Sequence, residues 1–181
     1  MTIRVALLRG INVGGHNRVA MAELRDLASA RGLDNPRTYA QSGNLVFETA
    51  LDEQGVVGML EPALRDLFGF EIPVVTRSST ELAETGRAHP FSDLGLDQRL
   101  LQVAFLDRVP THGVDVALDA HDYLPDRFTR RGREIYLAFP NGSGRSKLNQ
   151  GMLERRLGVR ATVRNWRTIS QLIALAGSEG P

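Results

Sequence analysis

The chain has 181 residues, a net charge of only +1 and no cysteine. The missing thiols exclude disulfides, thiolate catalysis, iron–sulfur clusters and cysteine-rich zinc sites. Apolar residues make up 42% of the chain and charged residues 24%, as is typical of a globular protein. The apolar run at residues 5–8 is too short for a signal peptide or a membrane span, so we expect a cytoplasmic protein outside the membrane.

The first half of the chain predicts two helices and four strands. Met21, Leu24, Leu27 and Ala28 recur at helical spacing, and Gly32 ends this first helix. The strands are apolar or β-branched runs at residues 3–9, 37–40, 45–49 and 72–77.

Two prolines modify this prediction. The second helix begins after Asp52, which can cap it, and runs through Phe68. Pro62 lies inside that helix and is expected to kink or split it, because proline cannot donate the backbone hydrogen bond. Pro73 lies near the start of the fourth strand and favours an edge position for it.

The second half shows the same order of strands and helices with weaker signals, but its amino-acid sequence does not repeat that of the first half. Between the halves, Ser78 and Glu81 have the spacing of a capping box and predict one short helix. The expected helices of the second half are residues 111–119, 146–157 and, as an additional C-terminal element, 166–176. The expected strands are residues 101–107, 127–130, 134–139 and 161–164.

Each half therefore has the β-α-β-β-α-β order of a ferredoxin-like unit, and the fold class is α+β. We expect two tandem ferredoxin-like subdomains, residues 1–78 and 99–181, joined by a connecting segment at 79–98. Right-handed crossovers predict the strand order 4-1-3-2 in each half. In this order the loops after strands one and two lie at one end of a sheet, and so do the loops after strands three and four.

In the first half, this topology brings the loop at residues 10–19 towards the turn at 41–44. The loop exceeds the usual length of roughly 2–6 residues. Its glycines allow a ligand to approach the backbone, and the helix after it offers free N–H groups to an anion. A long loop that caps itself with asparagine explains the composition almost as well. The candidate ligand-binding residues are Arg9, Asn12, Gly14, Gly15, Asn17, Gln41, Ser42 and Asn44.

In the second half, residues 142–147 follow a strand and open the predicted helix, which is the geometry of an anion-binding nest. The order of residues does not fit the P-loop pattern, so nucleotide hydrolysis is not indicated. Lys147 is the only lysine, which suggests that a compact charge is needed there, although chance also explains one residue. The candidates in this segment are Gly144, Arg145, Ser146 and Lys147.

The loop at residues 141–145 is expected to share its end of the sheet with residues 164–167. Arg164 is interpreted as a ligand-binding cation there, and Asn165 as a helix N-cap. Trp166, the only tryptophan, could stack on a ring, but such a residue more often fills the core at a helix start. We favour the core interpretation of Trp166 and keep all three residues as candidates.

Several of these motifs resemble one known family, domain of unknown function 1697. They are LLRGINVGG, MAELR, QSGN-x-VF, GRSKL, LGV-x-AT and RNW-x-T, and the resemblance spans residues 3 to about 175. It implies two similar α+β subdomains in tandem and transfers no reaction. Two positions depart from the family pattern: Ala20 stands where proline is usual, and Arg167 where asparagine is common.

Residues 125–167 carry 11 basic and three acidic side chains, a net charge of +8. This asymmetry indicates an acidic partner or a solvated basic face. The first hypothesis is a binding protein whose basic C-terminal half holds a phosphate-bearing or other anionic ligand, either a nucleotide or nucleic acid. The alternatives are an enzyme acting on a small anionic metabolite through charge stabilisation, and a protein-interaction scaffold. No metal or cofactor motif is visible, and nothing indicates an oligomeric state.

Overall fold

The computed structural model describes residues 1–87, 89–113 and 117–177. These residues form two compact units, Met1–Glu84 together with the chain from Gln171, and Thr85–Ser170. In the described residues, the fold is mixed α+β with two four-stranded antiparallel sheets and five α-helices.

The first sheet contains the strands β1 Thr2–Leu8, β2 Asp34–Tyr39, β3 Asn44–Thr49 and β4 Val74–Ser78. Its spatial order is β2-β3-β1-β4, and every neighbouring pair is antiparallel. This is the predicted order 4-1-3-2 read from the other side. Pro73 immediately precedes β4, and the edge position predicted for this strand is confirmed.

Two helices cover one face of this sheet: α1 Met21–Ala30 packs on β2, and α2 Glu53–Phe68 packs on β4. Alternate residues of the strands, such as Ala6, Leu45 and Phe47, are fully buried against them. The helix α3 Ser79–Thr85 follows β4 directly.

The helix α2 is not split at Pro62, contrary to one of the two expected outcomes. Its buried face contains Val56, Leu60 and Leu64, each fully excluded from solvent. Burial of such a side chain contributes about 1.5–3 kcal/mol, so the three together outweigh the roughly 3 kcal/mol cost of an internal proline. The predicted cap is confirmed, since the Asp52 carboxylate accepts the N–H of Gly55 at 2.8 Å.

The second sheet contains β5 Leu101–Leu106, β6 Arg127–Arg131, β7 Glu134–Ala138 and β8 Ala161–Asn165, in the order β6-β7-β5-β8. The helix α4 Gln150–Leu157 packs on β8. The helix α5 Trp166–Gly177 begins where β8 ends. The helix predicted at 111–119 is centred on residues 114–116, which lie outside the described residues.

The helix predicted at 146–157 begins four residues later than expected. Asn149 is its N-cap, and its side-chain oxygen accepts the N–H of Met152 at 3.1 Å. The hydroxyl of Ser146 instead accepts the N–H of Leu148 at 2.9 Å and donates to Asp126 at 2.6 Å. A serine bonded in this way favours a turn over a helix. Ser146 and Lys147 therefore do not open the helix.

Candidate functional site

The loop that follows β1 folds back on itself as a tight hairpin. The N–H of Asn12 donates to the carbonyl of Asn17 at 3.0 Å, and the N–H of His16 donates to Val13 at 3.0 Å. Gly14 and Gly15 form the turn with φ values of 57° and 81°, which side-chain-bearing residues rarely adopt. The predicted long loop is therefore an ordered hairpin with an exposed tip.

The side chain of Asn12 joins this loop to the turn between β2 and β3. Its amide donates to the carbonyls of Val19 at 2.9 Å and Gln41 at 2.7 Å, and its oxygen accepts the N–H of Val19 at 3.0 Å. The two segments predicted to meet are thus in contact. The amide of Asn12 is used inside the protein, as the self-capping alternative requires.

The other asparagines of this region are also bonded internally. Asn17 donates to the carbonyl of Gly10 at 3.0 Å, and the fully buried Asn44 donates to Tyr39 at 2.8 Å and to the Ser42 hydroxyl at 3.0 Å. Their side chains shape the loops. Arg9 is partly buried, and its backbone N–H donates to Pro73 at 2.9 Å.

An open depression of about 380 Å³ lies between these two segments, and we call it the first depression. It reaches the N-terminus of α1, where Ala20 occupies the N-cap position and no side chain caps the helix. Arg18 is exposed and has no acidic partner among the described residues. The lining residues are Asn12, Gly15, Arg18, Val19, Ala20 and Gln41, and none of them is acidic.

A second depression, of about 400 Å³, lies in the second unit. One side is the turn at residues 122–126 that precedes β6, and the other is formed by Asn141, Gly142, Arg145, Ser146 and Lys147. The sequence did not predict the contribution of the turn, because the hydrogen bond between Asp126 and Ser146 joins residues 20 positions apart.

Residues 141–145 and 164–167, which were predicted to share an end of the sheet, are both in contact with Gln102 of β5. Asn165 pairs with Gln102 across β8 and β5, and the Gln102 side chain donates to the Ser143 hydroxyl at 3.2 Å. Arg164 and Trp166, however, do not line the second depression.

Arg164 is 7% exposed, and its guanidinium donates to the Thr162 hydroxyl at 2.8 Å and to the Val163 carbonyl at 2.9 Å. Burial lowers the pKa of Arg164 to about 10, so the side chain remains charged near neutral pH. The geometry places this cation in the interior, although the sequence interpretation assigned it to a ligand.

Trp166 belongs to an aromatic cluster around His89. The His89 ring meets the rings of Trp166 and Tyr136 edge-on, at centroid distances of 5.0 and 5.3 Å. Asn165 caps α5 by accepting the N–H of Thr168 at 2.8 Å, as predicted.

His89 itself is 2% exposed and was not singled out from the sequence. Its Nδ1 accepts the N–H of Phe91 at 3.3 Å, and its Nε2 lies 3.1 Å from the carbonyl of Gln102. This pattern requires a neutral ring that is protonated on Nε2. Burial is the main cause that lowers the pKa of His89 below its usual value, and this also favours the neutral ring. An isolated histidine has no local sequence pattern that could have revealed this position.

Within the described residues, no group of three His, Asp or Glu side chains is arranged to hold a metal ion. None of the helices in that part of the chain has the length and apolarity needed to cross a membrane.

The fold and its loops thus define a mixed α+β protein with two four-stranded antiparallel sheets. The chain belongs to the family described as "Protein of unknown function (DUF1697)", whose model matches residues 1–136. This confirms the family membership predicted from the motifs. A conserved bacterial protein from Streptococcus pneumoniae has a similar structure, with a TM-score of 0.72 and 23% identity over 98% of this chain and 99% of that chain. This likeness concerns the fold alone. A comparison with curated proteins gave no match.

Proposed function

We propose that this protein binds a small anionic ligand, such as a phosphate-bearing metabolite, in the first depression. The observation that carries the proposal is the uncapped N-terminus of α1, a helix of ten residues. The N–H groups of Met21, Ala22 and Glu23 have no acceptor among the described residues. Such groups, together with the helix dipole, favour an anion.

The charge around the first depression supports the same ligand class. Arg18 contributes a guanidinium, which suits the oxygens of a phosphate or carboxylate group. No carboxylate lines the first depression, whereas Asp122 and Asp126 line the second. An anion therefore meets less repulsion in the first depression than in the second.

This geometry changes the roles of the candidate residues. Asn12, Asn17 and Asn44 hold the loops in place, because their side chains are already bonded. The exposed Gln41 side chain has no partner among the described residues and remains available to a ligand. The contacts to the anion would come from the first turn of α1 and from Arg18.

Binding is better supported than catalysis at this position. None of the residues that line the first depression is Asp, Glu or His, so its lining supplies no general base. Nucleic acid is not favoured either. Along β6, Arg127 and Arg131 point to one face of the sheet and Arg130 to the other, so these charges form no single stripe.

We further propose that each unit is ferredoxin-like, supported by the strand order in both sheets. A division of the chain into residues 1–78, 79–98 and 99–181, and a cytoplasmic location, also stay proposals.

The proposal is tested by substituting Ala20. Ala20→Asp places a carboxylate at the N-cap, where it caps α1 and occupies the anion position itself. We expect the free energy of unfolding to rise by about 1 kcal/mol and phosphate binding to be lost. Binding is measured by NMR titration with inorganic phosphate, following the amides of residues 21–23, and then with sugar phosphates and nucleotides.

Arg18→Ala is the second variant, and we expect it to weaken phosphate binding about tenfold or more, since a charged hydrogen bond contributes about 1.5–3 kcal/mol. Arg156→Ala, at an exposed arginine of α4, is the matched control and should bind phosphate like the parent protein. If the amides of residues 21–23 do not respond to phosphate or to any of the phosphorylated ligands, or if Ala20→Asp binds them normally, the proposal is wrong.

A further inference from the structure

The second depression is lined by groups of opposite charge on its two sides. Asp122 and Asp126 come from the turn before β6, whereas Arg145 and Lys147 come from the segment after β7. The four side chains give the depression no net charge. A simple anion would meet two carboxylates there, and a simple cation would meet two basic groups.

These opposite charges do not neutralise each other. Neither Arg145 nor Lys147 forms a salt bridge or a side-chain hydrogen bond with any carboxylate in the described part of the chain. Asp122 has no cationic partner either, although it lines the same depression. No salt bridge therefore offsets the charges of Asp122, Arg145 and Lys147 within the described part of the chain.

The two sides are fixed to each other and to the sheet. The Ser146 hydroxyl donates to one carboxylate oxygen of Asp126 at 2.6 Å, which leaves the other oxygen without a donor among the described residues. Gln102 of β5 donates to the Ser143 hydroxyl at 3.2 Å and so anchors the segment that carries the two cations. The turn and the segment after β7 are therefore held together at Asp126 and Ser146.

The turn also supplies an apolar surface between its two carboxylates. Leu124 is 63% exposed, and Leu124 and Pro125 both line the depression. A volume of about 400 Å³ suits a small molecule. The depression therefore offers a ligand two carboxylates, two basic side chains and a small apolar surface on the turn that carries the carboxylates.

We infer that the second depression binds a small zwitterionic ligand, with its acidic group at Arg145 and Lys147 and its protonated amine at Asp122 and Asp126. This site is independent of the anion site proposed in the first unit. Its ligand class also differs, because both ends of the molecule are recognised.

The test uses three probes of similar size that differ in charge: γ-aminobutyrate, butyrate and n-butylamine. Each is titrated at low ionic strength while the amide signals of residues 141–147 are followed by NMR. We expect γ-aminobutyrate to bind at least about tenfold more tightly than either singly charged probe. Equal affinity for butyrate would identify a plain anion site, and no response to any probe would mean that the depression holds no such ligand. Both outcomes overturn the inference.

Three variants separate recognition from folding. Lys147→Gln should reduce the affinity for γ-aminobutyrate towards that for n-butylamine, and Asp122→Asn should reduce it towards that for butyrate. Asp122 is chosen because Asp126 also holds Ser146. Arg156→Gln, which alters an exposed arginine outside the depression, should leave the affinity unchanged. An equal loss in all three variants would show a non-specific charge effect and would also overturn the inference.

Discussion

Gly43 lies in the turn between β2 and β3, where the packing against the loop after β1 leaves no room for a side chain. Its φ is +74°, and a Cβ atom there would lie 2.6 Å from Ile11 Cδ1 and 2.7 Å from Leu8 Cβ. Leu8 and Ile11 are only 1% and 3% exposed, so neither can move into solvent. The carbonyl of Gly43 also accepts the N–H of Leu8 at 2.8 Å. Gly43→Ala must therefore disturb the packing between the turn and the loop after β1.

The expected loss of stability has two parts. A left-handed backbone costs a non-glycine residue about 1–2 kcal/mol, and overpacking a buried site costs about 1–3 kcal/mol. Gly43→Ala should therefore lower the free energy of unfolding by about 2–5 kcal/mol. For a protein of this length that corresponds to a fall in Tm of about 4–20 °C.

Gly32→Ala separates these two parts. Gly32 has almost the same φ, +75°, but a Cβ atom there would meet nothing within 4 Å. This control should lose only the conformational part, about 1–2 kcal/mol. Urea unfolding of both variants measures the difference. If Gly43→Ala is no less stable than Gly32→Ala, the close contact with Leu8 and Ile11 has been misjudged.

Three further predictions concern buried polar groups. Thr76 is fully buried, and its hydroxyl has no partner among the described residues, so Thr76→Val should raise the free energy of unfolding by about 1 kcal/mol. Thr162→Val should lower the free energy of unfolding by about 1–2 kcal/mol, because the Thr162 hydroxyl accepts a hydrogen bond from Arg164. Urea unfolding measures both variants, and a Thr76→Val variant less stable than the parent protein would contradict this reasoning. Burial lowers the pKa of His89 from 6.5, so the unfolded chain binds a proton more readily than the folded protein. The contribution of His89 to the free energy of unfolding should therefore be fully present above pH 6.5 and decrease as the pH falls below it. The midpoints of urea unfolding should decrease as the pH falls through this range, and His89→Gln should abolish this pH dependence. If the variant keeps the same pH dependence, other groups cause the effect.

The strands and most helices could be predicted because their signals are local. The spacing of Met21, Leu24 and Ala28 indicates α1, and these residues are buried where the pattern requires. The capping box at Ser78 and Glu81 is also confirmed, with the two reciprocal hydrogen bonds at 2.8 and 3.2 Å. Such patterns depend on neighbours within a few positions, so one sequence is enough to read them.

The parts of the candidate sites that could not be predicted depend on distant partners. Ser146 leaves the predicted helix because Asp126, 20 residues earlier, accepts its hydroxyl. Arg164 was assigned to a ligand because residues 164–167 were expected to share an end of the sheet with the loop at 141–145, yet its guanidinium is buried and donates to Thr162 and Val163 of its own strand. Whether a polar side chain serves the interior or a ligand is decided by tertiary packing, which no local pattern contains.

The two sheets have the same strand order, but the sites proposed in the two units differ in chemistry. In the first unit, the loop after β1 leaves α1 uncapped and brings Arg18 beside it. In the second unit, the start of α4 is capped by Asn149, and the second depression is lined by Asp122 and Asp126 together with two basic side chains. The same strand order does not imply the same ligand, because recognition depends on the loops. If Arg18→Ala affects only phosphate binding and Lys147→Gln only γ-aminobutyrate binding, the two sites are independent; loss of both ligands in either variant would indicate a shared effect on folding.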